Sequence, residues 1–219
     1  MLLMGAVLAV AGSAWADLMI TEAMSNSDHP GGAANGDWWE LTNTGSTAVD
    51  LENYYWDDDG PTGNDGALFP DIAISAGQSI VIVDEGTDNL SDFVSAWGGG
   101  FTAYSRDDFG GPNDFSGLSA DGDQIELWDA DPNAGAANLV ASVTFGDSDG
   151  GGKSFEWHTD GTDLGFSVAG ENGAFVAPGN GDGGTGIDIG SPGVVPEPAT
   201  MSLLGLGGLA LLPRRNRKA

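Results

Sequence analysis

Cysteine is absent from the 219 residues, which excludes disulfides, thiolate metal sites and thiol nucleophiles together. A domain of this composition has to be held by its core or by bound ions. Cations are nearly as scarce, with six Lys and Arg against 33 Asp and Glu. Four of those six (Arg214, Arg215, Arg217 and Lys218) crowd into the C-terminus, so residues 17–193 hold 32 acidic groups against Arg106 and Lys153 alone, a balance of −30. That field repels nucleic-acid phosphates and anionic lipid headgroups, so no nucleic-acid partner is expected. It attracts cations, divalent ones above all, and keeps the chain soluble.

Catalytic signatures are missing too. His29 and His158 stand alone, no H-E-x-x-H or G-x-S-x-G is present, and neither histidine has a second one at ligand spacing. Gly179 to Gly184 satisfies G-x-G-x-x-G, but no strand precedes it and no helix follows, so its amides could not aim at a pyrophosphate. Gly152-Lys153-Ser154 fails as a phosphate loop because Asp147 occupies the position of the required first glycine. Carboxylates are so plentiful that any chosen glycosidase-like pair is uninformative. A non-catalytic chain is the expectation, with a hydrolase of unknown type as the third-ranked alternative.

Both ends carry addresses. Leu2 to Val10 is apolar, and Ala14-Trp15-Ala16 supplies the small residues a signal peptidase requires, so residues 1–16 are expected to be a signal peptide cleaved after Ala16. A basic n-region is missing ahead of it, which suggests a start codon placed too far downstream. At the other end, Pro196-Glu197-Pro198 is followed by an apolar stretch over 199–212 and then by the basic cluster led by Arg214 and Arg215. A rigid break, an apolar helix and positive charges that prefer the cytoplasmic face would stall translocation there. Fourteen residues at ~1.5 Å each make about 21 Å, short of the roughly 30 Å hydrocarbon core, so a processed signal fits better than a permanent tail anchor. The arrangement resembles the PEP-CTERM sorting signal. That resemblance implies recognition by an exosortase-type membrane protease, a transient inner-membrane intermediate, and release to the cell surface or an extracellular polysaccharide matrix.

Between the ends, short alternating segments are separated by Gly, Asp and Asn clusters. Strands are expected over 18–24, 38–43, 48–56, 79–84, 124–129, 139–145 and 154–158, and one short helix over 89–97, where Leu90, Phe93, Val94 and Trp97 fall at helical spacing. About seven short strands and one helix suggest an all-β sandwich over 17–177. Residues 178–193, rich in Gly and Asp, are expected to be a linker lifting that domain away from the sorting signal over 194–219. In 38–43, period-2 alternation places Trp39 and Leu41 on one face and Trp38, Glu40 and Thr42 on the other, one face packed and one wet. Asn43-Thr44-Gly45 is expected to turn the chain into a hairpin with Val49-Asp50-Leu51.

These segments also resemble a family. Ile20-Thr21-Glu22-Ala23-Met24, Asp37-Trp38-Trp39-Glu40-Leu41-Thr42-Asn43-Thr44-Gly45, Val49-Asp50-Leu51 with Trp56, Phe69-Pro70, Ile74-Ser75-Ala76-Gly77-Gln78, Gly122-Asp123-Gln124-Ile125-Glu126-Leu127-Trp128 and Ser191-Pro192-Gly193 follow the order of the lamin tail domain. The resemblance implies an immunoglobulin-like sandwich of the kind found in exported bacterial proteins, with the 57–66 and 101–115 regions longer and more acidic than a compact version needs.

Two binding readings remain. Where large aromatics are adjacent, alternation sends one outward, so Trp38 and Tyr55 are candidate platforms for a sugar ring. Asp57-Asp58-Asp59 with Asn64 and Asp65 places several oxygen ligands in one Gly-containing loop, as calcium prefers, although solvated turn residues explain the same composition. No cofactor beyond calcium is indicated. The first expectation is a structural or adhesive module, and the alternative is a calcium-dependent carbohydrate-binding module. Expected partners are signal peptidase and the exosortase-type protease during export, then extracellular polysaccharide or another surface protein.

Overall fold

The computed structural model describes residues 18–27, 36–58, 66–84, 87–111, 117–148, 151–177 and 188–195. In chain order its strands are β1 (Leu18–Met24), β2 (Trp38–Asn43), β3 (Val49–Asp50), β4 (Tyr55–Asp57), β5 (Ala67–Leu68), β6 (Ala73–Ile74) and β7 (Ser79–Val83). The helix α1 (Thr87–Ala96) follows, then β8 (Ala103–Ser105), β9 (Asp123–Trp128), β10 (Leu139–Phe145), β11 (Phe155–Trp157), β12 (Asp163–Phe166), β13 (Phe175–Val176) and β14 (Ile189–Gly190).

The strands form a sandwich. One sheet has the order β12-β11-β1-β2-β7-β8 and faces a second with the order β10-β9-β4-β5; β3 pairs with β6, and β13 with β14. Pairing is antiparallel except for β7 with β8, which run parallel. Between the sheets lies the main core, built on Ile20, Trp39, Leu41, Trp56, Ile82, Ile125 and Leu127. Trp39 meets Trp56 at 5.2 Å between ring centroids and Phe69 edge-on at 6.3 Å.

The parallel pair explains what happens outside the larger sheet. Parallel neighbours need a crossover, and here the crossover is α1, which folds back over the outer face of that sheet. Phe93 of the helix and Trp97 just past its end, with Leu90 and Val94 alongside, cover Met24, Trp38, Val81 and Val83 in a second core. The expectation that Trp38, Glu40 and Thr42 form a wet face is therefore corrected, since all six residues of β2 are buried. Alternation assigned the faces properly, but both faces are roofed.

Two further expectations change. The segment 48–56 is two strands, β3 and β4, separated by a turn in which Asn53 has φ 70°. It makes no hairpin with β2, because β1 and β7 already occupy both edges of β2. The Asn43 turn does form, with Gly45 N–H donating to Asn43 Oδ1 at 3.0 Å, and it sends the chain to pair with β6 instead. The linker over 178–193 is corrected at its C-terminal end: β14 lies within it, and Asp188, Gly190 and Ser191 are buried. The domain thus extends past 177 to the last described residues, while 178–187 lie outside the described residues.

Candidate functional site

The outer face of the larger sheet that α1 leaves bare is closed by the last described segment, 188–195, called the strap below. Beneath it lie two carboxylates. Glu22 on β1 and Glu40 on β2 are cross-strand partners, 1% and 0% exposed. A register shift between Ile20 and Glu22 lets Thr21 share that face with them.

The donors around the pair are neutral. Glu22 Oε1 accepts from the Ser191 backbone N–H at 2.7 Å and from the Ser154 hydroxyl, and its Oε2 accepts from Ser191 Oγ at 2.8 Å. Glu40 Oε1 accepts from Thr21 Oγ1 at 2.6 Å, and its Oε2 from Ser79 Oγ at 3.1 Å and from the Gly193 N–H at 2.6 Å. Ser154 also shares a hydrogen bond with Ser167. Neither carboxylate has a cationic partner among the described residues. Burial, with Glu40 as a like-charged neighbour, pushes Glu22 up to about 8. Burial pushes Glu40 up to about 7 against the pull of its hydroxyl and amide donors. The pair therefore keeps a proton at neutral pH, a property of both groups together.

The strap lies flat on this pair. A Cβ at Gly190 would stand 2.8 Å from Glu22 Oε1 and 3.1 Å from the Trp38 ring, so only glycine passes there. The strap also exchanges backbone hydrogen bonds with its neighbours, Ile189 N–H to Gly152 O at 2.8 Å and Ser154 N–H to Ile189 O at 3.1 Å. Val194 N–H closes a turn on Ser191 O at 2.9 Å. Composition hid this site, because a glutamate at an alternating position looks solvated and a Gly- and Asp-rich stretch looks like a linker.

A second acidic feature lies at one end of the sandwich. Asp37, Asp58 and Asp123 line a polar cavity of about 630 Å³ with Ser25, Asn26 and Ser119. Burial pushes Asp37 up to about 7, although its carboxylate accepts N–H bonds from Ser27 and Leu118. Asp123 is occupied by the Ser119 N–H at 2.7 Å.

Of the expected calcium ligands, Asp57 is buried at the end of β4 opposite Glu126, and Asp58 is half-buried on the cavity wall. Asp59, Asn64 and Asp65 lie outside the described residues. Among the described residues no group of three His, Asp or Glu is placed to hold a metal ion. The sugar platform is corrected in half: Trp38 is fully buried, 5.5 Å edge-on from Trp97, whereas Tyr55 is half-buried. The cleavage residues Ala14 and Ala16 and the sorting residues Pro196, Glu197, Pro198, Arg214 and Arg215 lie outside the described residues.

The architecture defines an all-β, immunoglobulin-like sandwich closed on part of one face by the strap. The model of the Lamin Tail Domain matches residues 11–147, and the chain belongs to that family. The PEP-CTERM protein-sorting motif matches residues 194–218, which implies exosortase-dependent export and a location at the cell surface or outside it. Ser191-Pro192-Gly193, expected to continue the family pattern, fall between the two matches. No curated protein matches the chain, and no solved structure does.

Proposed function

We propose that the chain is a non-catalytic structural or adhesive module, set by exosortase processing into the cell surface or an extracellular polysaccharide matrix. The observation that carries this reading is the junction at residue 194, where the sorting motif begins on a segment already folded onto the lamin tail sandwich. A tether that starts at the body of the domain holds it close to whatever the tail is joined to. The non-catalytic reading is supported by the state of the acids. Glu22 and Glu40 are enclosed and hydrogen-bonded, so neither is an open acid or base facing a substrate, and the Asp37 carboxylate on the cavity wall is engaged by the Ser27 and Leu118 N–H groups. The calcium-dependent lectin reading loses its aromatic row with the burial of Trp38, and keeps only Tyr55.

Replacing Pro196-Glu197-Pro198 by alanines tests delivery. The variant is expected in the membrane fraction with its tail intact, while the native chain is recovered from the surface in shortened form. Mass spectra of native surface protein that still carry Leu212 and the residues after it would refute processing.

A further inference from the structure

We propose that the Glu22–Glu40 pair is a proton-operated latch: protonated, it holds the strap 188–195 on the domain, and on losing its protons it lets the strap, and the sorting motif that begins there, swing free. The inference rests on the sorting reading for its consequence but not for its mechanism.

The geometry makes the strap the part that yields. β1 and β2 are central strands, each paired on both edges, and they cannot tip their carboxylates toward water. The strap holds the pair through the Ser191 N–H, Ser191 Oγ and the Gly193 N–H, and its strand β14 pairs with β13 over two residues only. The charged groups that face the pair do not relieve it. Glu156 on β11 is the other cross-strand neighbour of Glu22, 2% exposed, with Oε2 accepting from Asn172 at 3.1 Å. Asp188 in the strap is buried and accepts from Ser27 Oγ at 2.9 Å. β7 contributes only the hydroxyl of Ser79, and Lys153, next to β11, is exposed to solvent. Every buried ionisable group nearby is therefore an acid, and a second full charge on the pair meets hydroxyl and amide donors but no cation.

The sign follows from the raised acidities. Both groups bind protons more tightly when the strap is closed than in water, so closure is favoured at low pH and its advantage is lost as pH rises through about 7 and 8. For each proton kept closed and lost open, the opening equilibrium grows about tenfold per pH unit between the two acidities. Release of 188–195 would add about 26 Å of extended chain, at roughly 3.3 Å per residue, to the reach of whatever follows. A membrane protease that must grip residues beside a folded body gains access by that length.

Hydrogen exchange followed by mass spectrometry on the full-length chain in detergent tests the latch, with rates at pH 6, 7, 8 and 9 normalised to the unstructured peptide. Opening of 188–195 is expected to rise at least tenfold between pH 6 and 8 while peptides from β2 stay protected. In the E22Q/E40Q double variant the profile should be flat. Should that variant fail to fold, Ser191→Ala serves instead, with faster strap exchange at every pH. A flat native profile, or a rise shared equally by β2, overturns the proposal, as does a pH dependence that persists in E22Q/E40Q or, where Ser191→Ala is used, strap exchange no faster than in the native chain. Processing of the tail is scored separately. An unprocessed chain with the expected profile would sink the display reading alone, and a processed chain with a flat profile the latch alone.

Discussion

Trp38→Ala is the sharpest test of the two-cored architecture. The side chain has no exposed surface and fills the space between the outer face of the six-stranded sheet and α1. It meets Trp97 edge-on at 5.5 Å and Phe93 at 6.5 Å. Truncation removes the indole and leaves a void that the sheet, fixed by β1 and β7 on either side of β2, cannot close. Emptying a buried tryptophan site costs about 3–5 kcal/mol. Set against a total stability of about 5–15 kcal/mol, that is a large share. For a domain of this size each kcal/mol moves the melting temperature by about 2–4 °C, so a fall of roughly 6–20 °C is expected. Trp39→Ala, on the inner face, should cost a similar amount through its contacts with Trp56 and Phe69. Chemical denaturation of both variants, with Leu139→Ala as a 47% exposed control, supplies the measurement. A loss below about 1 kcal/mol for Trp38→Ala, with Trp39→Ala strongly destabilised, would mean that α1 does not roof the outer face.

Gly193→Ala should loosen the strap, because φ is +82° and the new Cβ would fall 2.3 Å from that of Phe101; normal strap protection in that variant would contradict the docking. The calcium reading of 57–65 requires millimolar calcium to raise the melting temperature well beyond magnesium at equal ionic strength, with the effect lost when Asp58 and its loop neighbours become Asn. Indistinguishable curves in the two ions would dispose of the site.

Much of the sandwich was legible from periodicity. β1, β2 and β10 have the limits that alternation and flanking turn residues gave them. The two-residue strands β3, β5, β6, β13 and β14 carry too few alternations to stand out from loops. Alternation along β2 separates two faces but says nothing of what covers either. The clue to the roof was the helix, whose Leu90, Phe93, Val94 and Trp97 stripe needs an apolar partner and whose place between two strands makes it a crossover. The strap was illegible for a different reason. Its contacts join Glu22 to Ser191 across 169 positions, and nothing local in a Gly- and Asp-rich stretch shows where its amides go. The acidic cavity shares that difficulty, since Asp37 and Leu118 meet only in the folded chain.

An acid-rich chain with two cations outside its tail cannot bury carboxylates in the usual way, against Arg or Lys. One buried acid does find a cation: Asp84 meets Arg106 at 3.0 Å. Glu22 and Glu40 are accommodated instead by Thr and Ser hydroxyls, backbone amides and retained protons. That solution ties stability to pH with the same sign as the surface, where mutual repulsion of ionised Asp and Glu also grows as pH rises. Salt separates the two. Repulsion between exposed carboxylates is screened over a Debye length of about 8–10 Å, whereas a pair enclosed under the strap is reached by salt only weakly. PH dependence that persists at high ionic strength therefore belongs to the buried pair, and dependence that salt abolishes belongs to the surface.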